Sequence, residues 1–85
     1  MKQMNGLPLK FAIVIENSQG RRVMFSSHTS EKTARDVLRG LLERSLNSVQ
    51  SGWIVELTTP AEVDVYGAVV PHRIIAGPYT RHELP

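Results

Sequence analysis

The chain has 85 residues, with ten Lys and Arg against eight Asp and Glu and no cysteine. This length accommodates one domain, and the lack of cysteine excludes disulfides and thiolate chemistry. A hydrophobic fraction of 41% predicts a globular chain, while a formal charge of +2 is too small to indicate nucleic-acid binding by itself. We expect a single domain over residues 1–85, with residues 1–6 and 79–85 flexible.

The apolar runs are too short for a membrane span, which needs about 20 consecutive apolar residues. The apolar run over residues 7–15 is interrupted by Lys10, and no small-residue cleavage site follows it. It therefore does not resemble a secretory signal. These features predict a cytoplasmic protein that does not associate with a membrane.

The first half of the chain begins with a predicted β-hairpin. Residues 9–16 alternate between two sets of side chains, as in a half-buried strand, and residues 21–27 form a second such run. Residues 17–20 read Asn-Ser-Gln-Gly, a turn in which Gly20 can adopt a positive φ. On this interpretation one sheet face carries Leu9, Phe11, Ile13, Ile15, Val23 and Phe25.

An amphipathic helix is predicted from Ser30 to Val49. Its apolar residues recur at intervals of three and four, which is the helical period. They are Ala34, Val37, Leu38, Leu41, Leu42, Leu46 and Val49. Thr29 or Ser30 is expected to cap its N-terminus.

Strand patterns resume after the helix. Residues 53–58 alternate, residues 63–70 are rich in β-branched side chains, and residues 72–76 form a short last strand that ends at Gly77 and Pro78. The predicted order is ββαβββ. The fold class is therefore α+β, a single small domain in which an antiparallel sheet of four to five strands packs on one amphipathic helix.

The supply of apolar side chains exceeds what one helix can cover. We expect Val55 and Leu57 to join the helix-covered face, which leaves an opposite face that carries Ala12, Val14, Met24 and Ile54. Two explanations remain open. Either the C-terminal segment closes over this face through Val65, Tyr66, Val69 and Ile74, or the face binds a partner, including a second copy in a homodimer.

Catalytic and metal-binding patterns are weak. Ser26, Ser27 and His28 match no nucleophile motif, and Glu62 with Asp64 is typical of a solvated strand edge. His28, His72 and His82 lack the spacing of metal ligands. No glycine cluster matches a phosphate-binding loop. We therefore predict a non-enzymatic protein with no catalytic residues, no metal and no cofactor.

Nucleic-acid binding is the first alternative. Arg21 and Arg22 lie at the predicted hairpin tip, and Lys10 and Arg73 could join them on the sheet. Acidic residues interleave with the helix cations, however, and both phenylalanines fall on the expected core face rather than on an exposed RNA-stacking surface.

The leading prediction is a small protein–protein interaction or regulatory protein. It is of the kind that phages and mobile elements encode to inhibit a host protein complex. The predicted partner surface comprises Val14, Met24, Ile54, Arg21, Arg22 and Arg73. The alternatives are a nucleic-acid-binding regulator that uses the hairpin-tip arginines, and a subunit of an oligomeric enzyme with His72 or His28 as the acid–base group.

Overall fold

The computed structural model describes residues 8–44, 49–68 and 70–85. Within them lie strands β1 (Leu9–Glu16) and β2 (Arg22–His28), helix α1 (Glu31–Arg44), and strands β3 (Ser51–Ala61) and β4 (His72–Thr80). The strands form one antiparallel sheet in the order β2-β1-β3-β4. The predicted α+β domain, an antiparallel sheet packed on one amphipathic helix, is confirmed.

The β1–β2 hairpin forms where the sequence predicts it. The Oδ1 atom of Asn17 accepts hydrogen bonds from the backbone N–H groups of Gln19 and Arg21, at 2.9 and 3.0 Å. Gly20 has a φ of 81°, which a residue with a side chain rarely adopts. The turn is therefore set by local chemistry, as expected.

Helix α1 begins at its predicted cap. The Ser30 hydroxyl accepts a hydrogen bond from the backbone N–H of Thr33 at 3.2 Å. The helix is described as far as Arg44, residues 45–48 of the predicted helix lie outside the described residues, and Val49 is not helical, contrary to the prediction. No helix in the described part of the chain has the length and apolar character needed to cross a membrane.

The predicted strand over residues 63–70 is wrong for the residues that the structure describes. They belong to an irregular segment, the β3–β4 connection (residues 62–71), so the order of elements is ββαββ. Gly67 has a φ of 74°, and its N–H donates to the Met24 carbonyl on β2 at 2.8 Å. The β-branched composition suggested a strand, but these residues fold back across the sheet. Val69 lies outside the described residues.

Strand β4 continues past its predicted end. Tyr79 pairs with Gly52 and Thr80 with Ser51, so the start of the tail that was expected to be flexible lies in the sheet. Arg35 of α1 donates to the Tyr79 hydroxyl at 2.9 Å. Its hydrogen bond to Glu31, reinforced by this one, raises the pKa of the Arg35 guanidinium above its ordinary value. The other predicted flexible segment, residues 1–6, lies outside the described residues.

Two apolar clusters sandwich the sheet. The helix face is the side on which α1 packs, and its buried residues are Ile13, Ala34, Leu38, Leu42 and Ile54. The connection face is the opposite side, and its buried residues are Ala12, Val14, Met24, Trp53, Val55, Leu57 and Val65.

The predicted face assignment of β3 is therefore reversed. Ile54 lies under the helix, whereas Val55 and Leu57 lie on the connection face. The cause is the β1–β3 register, which places Ile54 opposite Ile13 and Val55 opposite Ala12. Alternation sorts a strand into two sets of side chains, but it does not determine which set meets the helix when both are apolar.

Candidate functional site

The structure brings together some of the predicted partner-surface residues and separates others. Val14 and Met24 lie on the connection face and are 8% and 3% exposed, with Arg22 beside them on the same pocket. Ile54 is completely buried under α1. Arg73 pairs with Glu56 across β3 and β4, and Arg21 is exposed beside the hairpin turn.

The β3–β4 connection covers much of the connection face. The Asp64 carboxylate accepts hydrogen bonds from the Ser27 backbone N–H at 3.0 Å and from the Ser27 hydroxyl at 3.1 Å. The Val65 N–H donates back to the same hydroxyl at 3.3 Å, and the Val65 side chain is buried against the sheet. Of the two explanations for the surplus apolar face, closure within the chain is the arrangement observed. Tyr66 and Ile74, however, stay exposed rather than closing the core.

The β3–β4 connection leaves part of the connection face open, and a pocket of about 180 Å³ lies there against the sheet. Every strand contributes to it, because neighbouring residues on one face of a sheet align across the strands. Its apolar lining includes Val14 of β1, Met24 of β2, Trp53 of β3, Ile74 of β4 and Ala68 of the connection. Arg22 and His72 supply its polar groups.

Arg22 is held in place by two neighbours. Its guanidinium carbon lies 4.2 Å from the centre of the Trp53 ring, within the range of a cation–π contact. Its Nε donates to the Glu16 carboxylate at 2.8 Å. The two terminal nitrogens are therefore the groups of Arg22 that remain to donate to a ligand.

The tautomer of His72 follows from its hydrogen bond. Its Nδ1 lies 2.8 Å from the Val70 carbonyl oxygen. Because a carbonyl oxygen can only accept, Nδ1 carries the proton. In the neutral ring Nε2 is then an acceptor, and it becomes a donor when the ring is protonated.

Three large hydrophobic side chains are exposed among the described residues. Val63 is 74% exposed, Tyr66 is 70% exposed and Ile74 is 50% exposed. Val63 and Tyr66 lie in the β3–β4 connection, and Ile74 lines the pocket. The Tyr66 ring packs edge-on against Phe25, with ring centres 5.9 Å apart. Two of these three residues thus belong to the connection, and the third shares the pocket lining with Ala68 of the connection.

A second concavity, of about 480 Å³, runs along α1. Its described lining comes from this one helix and consists of Thr33, Asp36, Val37, Gly40, Leu41 and Arg44. Functional sites usually gather groups from several elements. We regard the connection face as the stronger candidate because its pocket combines apolar side chains from every strand with the polar groups of Arg22 and His72.

A Ser–His pair lies at the end of β2. Ser26 Oγ and His28 Nε2 share a hydrogen bond of 2.7 Å. Burial lowers the pKa of His28 below its ordinary value, and the nearby Asp64 carboxylate opposes that shift. The described hydrogen bonds of Asp64 come from Ser27, so it does not orient this imidazole as the acid of a catalytic triad would. The pair does not assemble a nucleophile site by itself.

Residues 8–44, 49–68 and 70–85 contain no group of three or more His, Asp or Glu side chains that could hold a metal ion. Comparison with protein-family models, curated proteins and solved structures finds no match to the chain.

Trp53 and Ala68 are pocket residues that the sequence did not predict. Trp53 alternates with Val55 and Leu57, two residues that were expected to meet the helix. The available signal was that Trp53 is the single tryptophan of the chain, a residue type enriched at binding sites, although its side chain is largely buried in the pocket wall. Ala68 carried no signal, because its position depends on how the connection folds.

Proposed function

We propose that this protein is a small non-enzymatic protein that binds another protein and regulates or inhibits it. The binding region is the connection surface, defined as Val63, Tyr66 and Ile74 together with the adjoining pocket. The observation that carries the proposal is that two of the three exposed large hydrophobic residues among the described residues lie in the connection, and the third, Ile74, lines the pocket together with Ala68 of the connection. Grouped exposed apolar side chains are typical of protein interfaces, whereas single scattered ones need no explanation.

The chemistry of this surface supports the same function. Protein interfaces are enriched in Tyr, Trp and Arg, which combine large contact area with hydrogen-bonding groups. Tyr66, Trp53 and Arg22 supply these three residue types. Tyr66 packs on Phe25, and Arg22 stacks on Trp53, so both side chains are partly ordered before a partner binds.

A different protein is a better candidate partner than a second copy of this chain packed directly against the sheet. The homodimer that the sequence suggested would have buried Val14, Met24 and Ile54, but these side chains are already covered within one chain. A cytoplasmic setting and a role as an inhibitor encoded by a phage or mobile element remain parts of the proposal.

The nucleic-acid alternative has weaker support. Arg22 and Arg73 each pair with a glutamate, and Lys32 pairs with Asp36 on the helix. Carboxylates beside the cations reduce the attraction to phosphates, which dominates nucleic-acid affinity. The enzyme-subunit alternative has the Ser26–His28 pair in its favour but no orienting acid among the described contacts.

The test is partner capture from the native cell with three immobilised proteins. They are the wild type, a Val63→Asp and Tyr66→Asp double variant, and a Lys32→Gln and Arg44→Gln control. Both variants change the formal charge by two units in the negative direction. We expect the wild type and the control to retain the same protein and the double variant to lose it. Circular dichroism would verify that all three proteins are folded.

The other outcomes are equally decisive. Retention of the partner by the Val63 and Tyr66 double variant would contradict the proposed surface. Loss of the captured material on nuclease treatment would favour the nucleic-acid alternative. So would a steep fall in the amount of captured material as the salt concentration is raised. Sedimentation of the wild type as a dimer, with a monomeric double variant, would replace the separate partner by a second copy.

A further inference from the structure

We infer that the pocket on the connection face takes one apolar side chain of the partner protein, and that Arg22 binds a carboxylate next to it. This inference rests on the proposed function, because it identifies the chemistry that the same surface recognises. The partner segment would carry a residue such as leucine or phenylalanine beside an acidic residue or a terminal carboxylate.

The size of the pocket favours a side chain over a whole small molecule. Its volume is about 180 Å³, below the roughly 300–1,000 Å³ of typical small-molecule sites. It is closer to the apolar cavities of about 150 Å³ that hold a benzene molecule. One leucine or phenylalanine side chain would fill it, and the rest of the ligand would lie outside on the connection surface.

The lining explains why the inserted group is apolar. Val14, Met24, Trp53 and Ile74 present hydrocarbon and aromatic surface, and Ile74 is still half exposed. Insertion of an apolar group would fill the pocket against these side chains and remove the exposed half of Ile74 from water, and burial of apolar surface favours such binding. A polar side chain placed against Val14, Met24 and Ile74 would lose its hydrogen bonds to water and find no replacement among these apolar side chains.

Arg22 explains why a carboxylate lies next to the apolar group. The stacking on Trp53 and the bond from Nε to Glu16 hold the guanidinium at the pocket with its terminal nitrogens available. A planar guanidinium held in this way loses little conformational entropy when it donates to a carboxylate.

Glu16 limits the strength of this interaction. Its carboxylate is 2.8 Å from Arg22 and offsets the positive charge that a ligand would encounter. Recognition of the carboxylate therefore depends on directed hydrogen bonds more than on net charge. We expect modest affinity with weak salt dependence, which differs from the steep salt dependence of phosphate binding.

The single tryptophan of the chain provides a direct measurement, because Trp53 lines the pocket. We would titrate the protein with N-acetyl-leucine, N-acetyl-leucinamide and N-acetyl-alanine and record Trp53 fluorescence. The NMR shifts of the Val14 and Met24 methyl groups would verify the location. We expect N-acetyl-leucine to bind about tenfold more tightly than its amide, because charge-assisted hydrogen bonds are stronger. N-acetyl-alanine should bind more weakly than N-acetyl-leucine, because it fills less of the pocket.

The variant test uses Arg22→Gln with Arg73→Gln as the matched control. Both arginines are exposed and pair with a glutamate, but Arg73 does not line the pocket. Arg22→Gln should abolish the preference for the carboxylate, so that the carboxylate and the amide bind with about equal affinity. Arg73→Gln should leave the preference unchanged. Equal binding of the carboxylate and the amide by the wild type, or no methyl shift with either, would overturn the inference.

The outcomes also separate this inference from the function on which it rests. If the captured partner requires Val63 and Tyr66 but is unaffected by Arg22→Gln, the interaction surface stands and the pocket inference fails. If N-acetyl-leucine binds as expected while the partner is unaffected by the Val63 and Tyr66 variant, the pocket binds this chemistry and the proposed interaction surface fails.

Discussion

The two faces of the sheet are both apolar but are covered by different kinds of structure. On the helix face, Leu38 and Leu42 of the 14-residue helix α1 are at most 1% exposed and lie in one cluster with Ile13 and Ile54. On the connection face the cover is an irregular segment with Val65 as its buried anchor. The described lining of the concavity along α1 comes from that helix, whereas the pocket on the second face is lined by residues of all four strands.

The difference follows from backbone hydrogen bonding. A helix satisfies most of its own backbone groups, so its apolar stripe can pack closely on a sheet. An irregular segment has to find partners elsewhere, and the connection uses Met24, Ser27 and its own turn. A segment held by a few such bonds opens at lower free energy than a packed helix. Binding surfaces are commonly found in such segments.

The largest expected difference is in the free energy of unfolding, between truncation of a buried residue in helix α1 and truncation of a buried residue in the connection. Leu38→Ala should destabilise the protein by about 2–5 kcal/mol, because it leaves a cavity under the helix. Val65→Ala should cost less, about 1–2 kcal/mol, since it removes two methyl groups from a cover that can adjust. Urea denaturation of both variants would measure the difference. An equal or larger loss for Val65→Ala would mean that the connection is as integral to the fold as the helix.

The next largest effect is expected at Asp64, whose hydrogen bonds to Ser27 tie the connection to β2. Asp64→Ala removes the acceptor for the Ser27 N–H and hydroxyl, and we expect a cost of about 1–2 kcal/mol. Native-state hydrogen exchange should show faster exchange at Gly67, whose N–H bonds to Met24, with little change in the centre of β1. Asp36→Ala is the matched control, because its ion pair with Lys32 is exposed and such pairs contribute less than about 1 kcal/mol. Equal exchange at Gly67 in both variants would contradict the anchoring role of Asp64.

A substitution at Gly40 is expected to stabilise helix α1 without affecting the connection. Gly40 lies inside α1, and an added Cβ would approach the flexible end of Arg44 at 3.4 Å. Gly40→Ala should therefore stabilise the protein by about 0.5–1 kcal/mol through helix propensity. Thermal unfolding would measure the gain, and exchange at Gly67 should be unchanged if the two covers open independently. A parallel decrease in Gly67 exchange would show that they are coupled.

The smallest expected effect is a pH dependence at His28, which ends β2 close to the start of α1 and interacts with Asp64. Burial lowers its pKa in the folded state below the ordinary value of 6.5. The unfolded chain therefore binds the proton first as the pH falls, so folding stability declines below about pH 6.5 until the folded pKa is passed. His28→Gln should remove this part of the slope in urea denaturation between pH 7 and pH 5, and His82→Gln serves as the control. An unchanged slope in His28→Gln would contradict the effect of burial.

Local features were predictable from the sequence because local interactions produce them. The turn depends on Asn17 and Gly20, and the start of the helix depends on the Ser30 cap, all within a few residues. The helical period likewise identified Ala34, Leu38 and Leu42 as buried. These elements, with the alternating strands, were sufficient for the α+β class and for one antiparallel sheet.

The candidate site depended on contacts between distant parts of the chain. Alternation alone predicted two sets of side chains on β3, but only pairing with β1 determined that Trp53 and Val55 lie away from the helix. The β-branched residues around Val65 suggested a strand, and their hydrogen bonds to Ser27 and Met24 made them a cover instead. The sequence by itself thus determined the elements and the surplus of apolar surface. Only the tertiary structure decided how that surface is covered and where it stays open, because strand register and the path of an irregular segment are non-local.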